Sequence, residues 1–467
     1  MPGSLLTQEA RSENARTLAR AAGLSVDEAE RTLDRHVLVS APASDATAFA
    51  LAQDVIELLA RSVTHVSMTS EGFVPELEVV VGATTPRSTA PRRFAVLDRA
   101  GLTIDDAKLP AALDVPVSRP YVALAACYIA AAAIRALLPQ TMPQSGPVPL
   151  RLPFRLSFAV VGLDDVQLTT PFDVGTAYLA GAGAIGNGFL WALRHLPVSG
   201  DLVIADDDVV ASGNLNRQLY FNPPNIGQAK ALCLAEKARA DFAQLTLRGY
   251  RARLQNLPMK TNGAWLPRLI VAVDSRRARR ELQNECPGEV FDASTTGIHE
   301  VVIHHHRQPT TAACLACIYR ADEAEYSLEQ HIADHLDVTV TDVRESRISS
   351  RAAARIAKRH PHLVIADIEG AAYDTLFKQL CASGALAATA DERVLAPFAF
   401  ISALAGTLLA LELARRLTSG PPRSDNYWSV SAWRPPLASR RRRRLADANC
   451  VFCGSASMRQ VNRSLWG

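Results

Sequence analysis

The clearest alternation of apolar and polar positions lies between Thr176 and Lys230. TAYLAGAGAIGNG begins as an apolar strand, breaks at Gly181, Gly183 and Gly186, and passes into a helix predicted from about Asn187. The next apolar run, DLVIAD, predicts a second strand that ends in Asp206-Asp207-Asp208. A polar loop carrying Asn214, Arg217 and Gln218 follows, then Lys230. Farther on, LIVAV predicts a strand stopping at Asp274. VVIHHH, after Gly297, predicts another, with His304, His305 and His306 as part of a strand face rather than a metal site. Strands separated by helices in this way predict an α/β fold with a mostly parallel sheet.

The same patterning organises the flanks. DATAFALAQDVIELLARSV has helical periodicity and ELEVVVGAT is a strand. Two alanine-rich runs, 120–138 and 397–417, echo each other. Each opens with Pro and an aromatic residue and closes on arginine and leucines. Their apolar cores, near 122–138 and 400–413, are shorter than a spanning segment and predict buried core helices. The echo predicts that residues 1–150 repeat the plan of the second half without its glycine turn and polar loop. Residues 151–317 and 397–467 then form the active domain, and 318–396 an insert. In that insert EYSLEQHIADHLD, ESRISSRAAARIAKRH and GAAYDTLFKQLCASG are candidate helices.

Composition adds little to this plan. With 467 residues, 48% hydrophobic and 21% charged, the chain is large enough for two or three cores. Its polar, helical N-terminus predicts no signal sequence, which places the protein in the cytoplasm. The net charge of +3 is too mild to argue for nucleic acid, and no nucleic-acid or membrane partner is expected. The single basic run, Arg440–Arg444, is expected to be a solvated linker.

The chemistry concentrates at the predicted strand ends. Glycines at 181, 183 and 186 let the backbone turn tightly and approach a phosphate, and the following helix offers unpaired N–H groups. Asp206 falls where an acid holds ribose hydroxyls, so up to this point a nicotinamide dinucleotide and ATP fit equally well. Arg217 and Lys230 favour ATP, because two fixed cations suit a triphosphate and its leaving pyrophosphate. Asp274 offers oxygen ligation to Mg²⁺. Separately, Cys314-x-x-Cys317 and Cys450-x-x-Cys453 are two knuckles that together make a tetrahedral structural Zn²⁺ site.

In order and spacing, Gly181-Ala-Gly-Ala-Ile-Gly186, Asp206-Asp-Asp208, Asn214-Leu-Asn-Arg217-Gln218, Lys230 and Asp274 resemble the ThiF/MoeB and ubiquitin-activating-enzyme superfamily. The resemblance runs from about residue 155 to the C-terminus, and members adenylate the C-terminal glycine of a ubiquitin-fold protein. It implies a Rossmann-like ThiF-type adenylation fold, preceded by a degenerate adenylation-like half, with a helical insert and a zinc knuckle pair. It implies ATP and Mg²⁺ as cofactors. Asp206 would hold the ribose, Arg217 and Lys230 the phosphates, and Asp274 the metal. Asp208 belongs to the same strand-end motif, and Asn214 and Gln218 would shape the nucleotide pocket. In an intramolecular pseudo-dimer, with no need of a second copy, an arginine of the first half would reach the ATP, from among Arg11, Arg16 and Arg20. Relatives that form thioesters place their nucleophile in the insert, whose one cysteine is Cys381. The implied partners are a ubiquitin-like protein and a conjugating enzyme. The setting implied is a bacterial ubiquitin-like conjugation operon, some of which serve in antiphage defence. A sulfur-carrier or small-molecule adenylyltransferase without the thioester is the alternative.

Overall fold

The computed structural model describes residues 5–110, 116–139, 148–149, 151–163, 168–345, 347–371, 373, 376–377, 380, 396–418 and 424–467. Cys381 lies outside them. The chain divides into two compact units, 1–318 with 396–467, and 319–395.

The first unit is built on two sheets. After α1 (Gln8–Ala22) and α2 (Val26–Leu33), the first sheet takes β1 (His36–Ser40), β2 (His65–Ser67), β3 (Leu77–Val81), β4 (Arg92–Leu97), β5 (Gly101–Asp105) and β6 (Phe154–Ser157). Their spatial order is β2-β1-β3-β4-β5-β6. The second sheet takes β7 (Phe172–Ala180), β8 (Val198–Ala205), β9 (Leu245–Tyr250), β10 (Arg268–Val271), β11 (Glu289–Thr296), β12 (Glu300–Arg307), β13 (Tyr427–Val430) and β14 (Arg441–Arg442). Their order is β14-β13-β12-β11-β10-β7-β8-β9.

Six strands correspond one to one between the sheets. β2-β1-β3-β4 are parallel, like β8-β7-β10-β11. β4-β5-β6 turn antiparallel, like β11-β12-β13. The helices obey the same correspondence. α3 (Ala46–Leu59) follows β1 as α5 (Ala184–Leu193) follows β7, and α4 (Arg119–Leu137) precedes β6 as α13 (Ala399–Thr418) precedes β13. The two echoing runs are therefore equivalent helices of a structural repeat. The first repeat continues past the boundary expected at residue 150, because β6 completes its sheet.

The small residues of these helices have a packing reason. A Cβ on Gly406 of α13 would stand 2.2 Å from the Gly188 carbonyl carbon of α5, and one on Gly188 would stand 2.8 Å from the Ser402 oxygen. Backbone therefore meets backbone where the two helices cross. α4 is long and apolar enough to cross a membrane, yet 89% of that window is buried inside the protein, as in a core helix. Polar contacts join the repeats as well. Glu57 Oε2 of α3 accepts hydrogen bonds from Trp191 Nε1 (2.9 Å) and Arg194 Nη2 (3.3 Å).

The arginine run at 440–444 is not a solvated linker. Arg441 and Arg442 form the edge strand β14, paired with Tyr427 and Trp428. Arg441 donates to Asp425 Oδ2 (2.8 Å) and the Val161 carbonyl (2.9 Å), and its guanidinium lies over the Trp428 ring at 5.4 Å. Arg442 and Arg444 lie over Tyr427 at 5.2 and 4.4 Å. The faces of Tyr427 and Trp428 convert a charge run into a cation–π seam that fixes the tail.

The second unit is helical, with α9 (Glu323–Leu336), α10 (Val340–Arg344), α11 (Ser350–Arg359) and α12 (Ile365–Ile368), following the short α8 (Leu315–Ile318) of the first unit. Its own core holds Ile332, Leu336, Ile356, Tyr373 and Phe377. Asp322, Thr339 and Ser349 cap the starts of α9, α10 and α11. The candidate helix around Cys381 falls largely outside the described residues.

Candidate active site

The site gathers where β7, β8 and β10 end, the edge at which open parallel sheets bind ligands. β7 stops at Ala180 and α5 begins at Ala184, three residues earlier than the sequence pattern predicts. Gly181 has φ +101°, and a Cβ there would lie 2.8 Å from the Ala272 backbone; one on Gly186 would lie 2.2 Å from the Gly181 oxygen. Both positions exclude any other residue. Gly183 differs, since a Cβ there would meet nothing within 4 Å. It is the N-cap of α5 and supplies no side-chain cap, so the helix opens onto free space with its first N–H groups available to an anion.

β8 delivers the carboxylates. Asp206 accepts the Ala182 N–H at Oδ2 (2.7 Å) and the Asp208 N–H at Oδ1 (2.9 Å). Burial pushes its pKa up to about 6, Lys230 opposing and Asp208 reinforcing the shift. Asp208 Oδ2 is 3.1 Å from Lys230 Nζ, and the Lys230 N–H donates to the Asp208 carbonyl at 3.0 Å. Asp207 turns to Arg253, 3.3 Å away, a partner that the sequence pattern does not reveal.

The Asn214–Gln218 loop lies across this edge. The Asn214 carbonyl accepts the N–H groups of Arg217 (3.1 Å) and Gln218 (3.2 Å). Arg217 Nη1 donates to Asn216 Oδ1 (2.7 Å) and the Gly213 carbonyl (3.3 Å). Burial holds its pKa below the ordinary arginine value, against the charges of Glu13 and Asp274. Gln218 is 3% exposed, and its Oε1 has no hydrogen-bond partner among the described residues. Asn187 braces the turn from α5, donating to the Ala182 and Gly183 carbonyls and accepting the Tyr220 N–H at 3.0 Å. Asp274 is exposed just beyond β10, before α7 (Arg276–Asn284). Its turn is braced from beneath by Arg279, also unforeseen, which donates to the Val273 carbonyl and pairs with buried Asp292. An uncapped helix start, an orphaned buried oxygen, two cations and strand-end carboxylates fit a nucleoside triphosphate.

The corresponding edge of the first repeat is closed. Its loop is Ala41-Pro-Ala-Ser-Asp45, and Asp45 Oδ1 accepts the Ala48 N–H at 2.9 Å, so a carboxylate already caps α3. β2 ends in Ser67-Met-Thr69 in place of three aspartates. α1 instead reaches across to the second repeat. Ser212 Oγ donates to Thr7 Oγ1 (2.8 Å), and a Cβ on Gly213 would lie 3.1 Å from Glu9 Oε1. Of the three arginines on α1, Arg16 pairs with Glu13 (2.9 Å), the acid nearest in charge to Arg217. Arg20 is exposed and Arg11 half-buried.

The four knuckle cysteines come together. Cys314–Cys317, Cys314–Cys450 and Cys317–Cys453 are each 3.8 Å between sulfurs. Zn–S bonds of about 2.3 Å give a tetrahedron with edges of about 3.8 Å, so the donor set fits zinc. The three histidines lie on β12, as expected of a strand face. His305 bonds Glu289 Oε1 (3.0 Å) and His304 the Ala313 carbonyl (2.8 Å).

A family model described as the ThiF family matches residues 173–452, more than half of the chain. The chain belongs to the ThiF family. A second model, the E1 N-terminal domain, matches residues 7–164, the span of the first repeat. Among curated relatives of this ThiF-family chain, the uncharacterized protein y4jF of Sinorhizobium fredii is 29% identical over 286 residues, 57% of this chain and 53% of that one. Ubiquitin-activating enzyme E1 2 of Arabidopsis thaliana is 32% identical over 117 residues, 23% of this chain and 11% of the plant enzyme. The chain thus spans about half the length of the first relative and about a tenth of the second. Among solved structures, E. coli MccB with AMPCPP and MccA aligns at a TM-score of 0.36 and 11% identity, over 72% of this chain and 74% of that one.

The Asp206 environment predicts opposite pH dependences for stability and binding. A carboxylate raised from its usual 3.8 to about 6 favours folding most when protonated. Its contribution is complete below about 3.8 and is lost as the pH rises through 6. The ribose-holding role that the resemblance implies for Asp206 would be strongest in the ionised form. Mg-ATP affinity, measured by calorimetry, is therefore expected to fall as the pH drops through about 6, while Asp206→Asn binds weakly at every pH.

Proposed function

We propose that this chain activates the C-terminal carboxylate of a ubiquitin-like protein. It forms the acyl-adenylate, transfers the acyl group to Cys381 as a thioester, and passes it to a conjugating enzyme. Adenylation rests on one observation, the convergence of the uncapped α5 start, Asp206, Arg217 and Lys230 at a single sheet edge. A nicotinamide dinucleotide would leave both cations without a task. A protein substrate is supported by the paired repeats, the first of which matches the E1 N-terminal domain. The bacterial conjugation setting, with its place in antiphage defence, belongs to the same proposal.

The first step needs no general base, because a terminal carboxylate is already ionised near neutral pH. Its oxygen forms a bond to the α-phosphorus of ATP while the α–β phosphoanhydride bond breaks and pyrophosphate leaves. Arg217 and Lys230 neutralise the charge that shifts toward the leaving group, and the glycine turn fixes the phosphate chain. Asp274 with Asp208 would hold Mg²⁺, which adds further neutralisation on the phosphates. Arg16, beside Glu13, is the arginine of α1 we assign to the triphosphate. In the second step a thiolate attacks the acyl carbon and AMP departs. Burial raises the thiols of Cys127, Cys233 and Cys286, and four other cysteines form the knuckles, which leaves Cys381 for this role.

Intact mass after mixing with Mg-ATP and a ubiquitin-like protein tests both steps. The expected result is a covalent adduct that dithiothreitol removes and Cys381→Ala abolishes. Pyrophosphate release without any adduct would support instead a sulfur-carrier or peptide adenylyltransferase.

A further inference from the structure

We infer that Arg61, in the first repeat, is a positioning residue that holds the nucleotide loop of the second repeat in its working shape; this rests on reading that edge as an ATP site. Arg61 follows α3 and is 3% exposed. Nη1 donates to the carbonyls of Leu215 (3.0 Å) and Phe221 (2.8 Å), and Nη2 to the Leu219 carbonyl (2.8 Å) and Asn222 Oδ1 (3.2 Å). These four acceptors are all neutral oxygens of one loop, so the buried guanidinium acts as a template around which residues 215–222 are wrapped. Only a planar fork of donors spans three carbonyls in this way, and lysine has no equivalent geometry.

A second path leads from the same residue to the phosphate side. The Arg61 carbonyl accepts Asn14 Nδ2 at 2.8 Å, Asn14 Oδ1 accepts Asn216 Nδ2 at 2.9 Å, and Asn216 Oδ1 accepts Arg217 Nη1 at 2.7 Å. Asn14 and Asn216 are 1% and 0% exposed, so water does not substitute for these bonds. The loop has only a 3₁₀ turn, Ser212–Asn216, as regular structure of its own. Beyond the loop's own bonds and Asn187, its shape and one hold on Arg217 are set from the first repeat. That repeat cannot cradle a nucleotide itself, because Asp45 closes its helix start. A misplacement of about 1 Å in such a group costs roughly 10²-fold in rate.

The test compares Arg61→Met, Arg61→Lys and Asn216→Ala with the wild type in three measurements: melting temperature, amide exchange across residues 212–222, and affinity for a non-hydrolysable Mg-ATP analogue. Arg61→Met is expected to lose protection at Arg217, Gln218, Tyr220 and Phe221 and to weaken nucleotide binding by at least about 10-fold, with Arg61→Lys recovering part of both. Asn216→Ala, which cuts the bonds to Asn14 and Arg217 but leaves the Arg61 clasp in place, should keep residues 219–222 protected and still weaken binding several-fold. If Arg61→Met does not fold, the other two variants decide. Unchanged nucleotide affinity in both Arg61→Lys and Asn216→Ala overturns the inference. A wild-type protein that binds no Mg-ATP defeats the functional reading instead. Exchange then decides the clasp alone, and full protection in Arg61→Lys would refute it.

Discussion

Cys450→Ser is expected to strip one zinc ion from each chain and to release the C-terminal segment from the body of the protein. The two knuckles lie 136 residues apart in sequence, and three of the sulfur pairs stand 3.8 Å apart, the edge of a tetrahedral zinc site, with all four sulfurs within 4.8 Å of one another. Apparent binding free energy at such a site is roughly 10–16 kcal/mol. Beyond the second knuckle, Trp466 at the end of α14 (Ala456–Trp466) donates to the Cys286 carbonyl at 2.9 Å and rests against Gly288, whereas upstream β13 is paired with β12 and Trp433 donates to the Ile298 carbonyl at 2.7 Å. The cation–π seam at Tyr427 adds about 0.5–1 kcal/mol for each exposed arginine. A melting temperature lower by on the order of 10 °C is expected, with proteolysis starting around the second knuckle. Elemental analysis and limited proteolysis check both parts. A chain purified without zinc, equally stable before and after chelation, would refute the assignment.

The motif residues were legible because each stands at a strand end, where residue type alone narrows the chemistry. Glycine, aspartate, arginine and lysine in that order leave few tasks other than gripping a nucleotide. What escaped the sequence was set by distant backbone. The sequence places the start of α5 too late because Gly186 weakens helix propensity, yet it is glycine to admit the Gly181 backbone, as Gly188 inside the helix is glycine to admit α13. Arg61 was invisible because its partners lie 154–161 residues away and its only local trace is a cation closing an apolar helix. The arginine run was misread because its partners, Tyr427 and Trp428, sit on the adjacent strand. The repeat was half legible. Its two alanine-rich helices announced themselves, but only the strand order identifies which elements correspond, and only the Asp45 cap explains why one copy is closed.

Lys230→Ala is expected to lower the rate of carrier-dependent pyrophosphate release by about 10²–10³-fold while leaving the fold nearly as stable as before. The two effects separate because they draw on different states of the same side chain. Nζ pairs with Asp208, whose side chain is 36% exposed, and an ion pair so open to water contributes at most about 1 kcal/mol. In the proposed reaction the ammonium would meet charge moving onto the departing pyrophosphate, and a cation placed there in advance is worth several times more. A second consequence follows from Asp206. Lys230 is the charge that holds its pKa down against burial and Asp208, so removing the lysine raises it above about 6. The pH below which the variant stops binding Mg-ATP should therefore move upward, a shift that calorimetry resolves independently of the rate. Loss of rate without that upward shift would mean that Lys230 serves a group other than the phosphates beside Asp206.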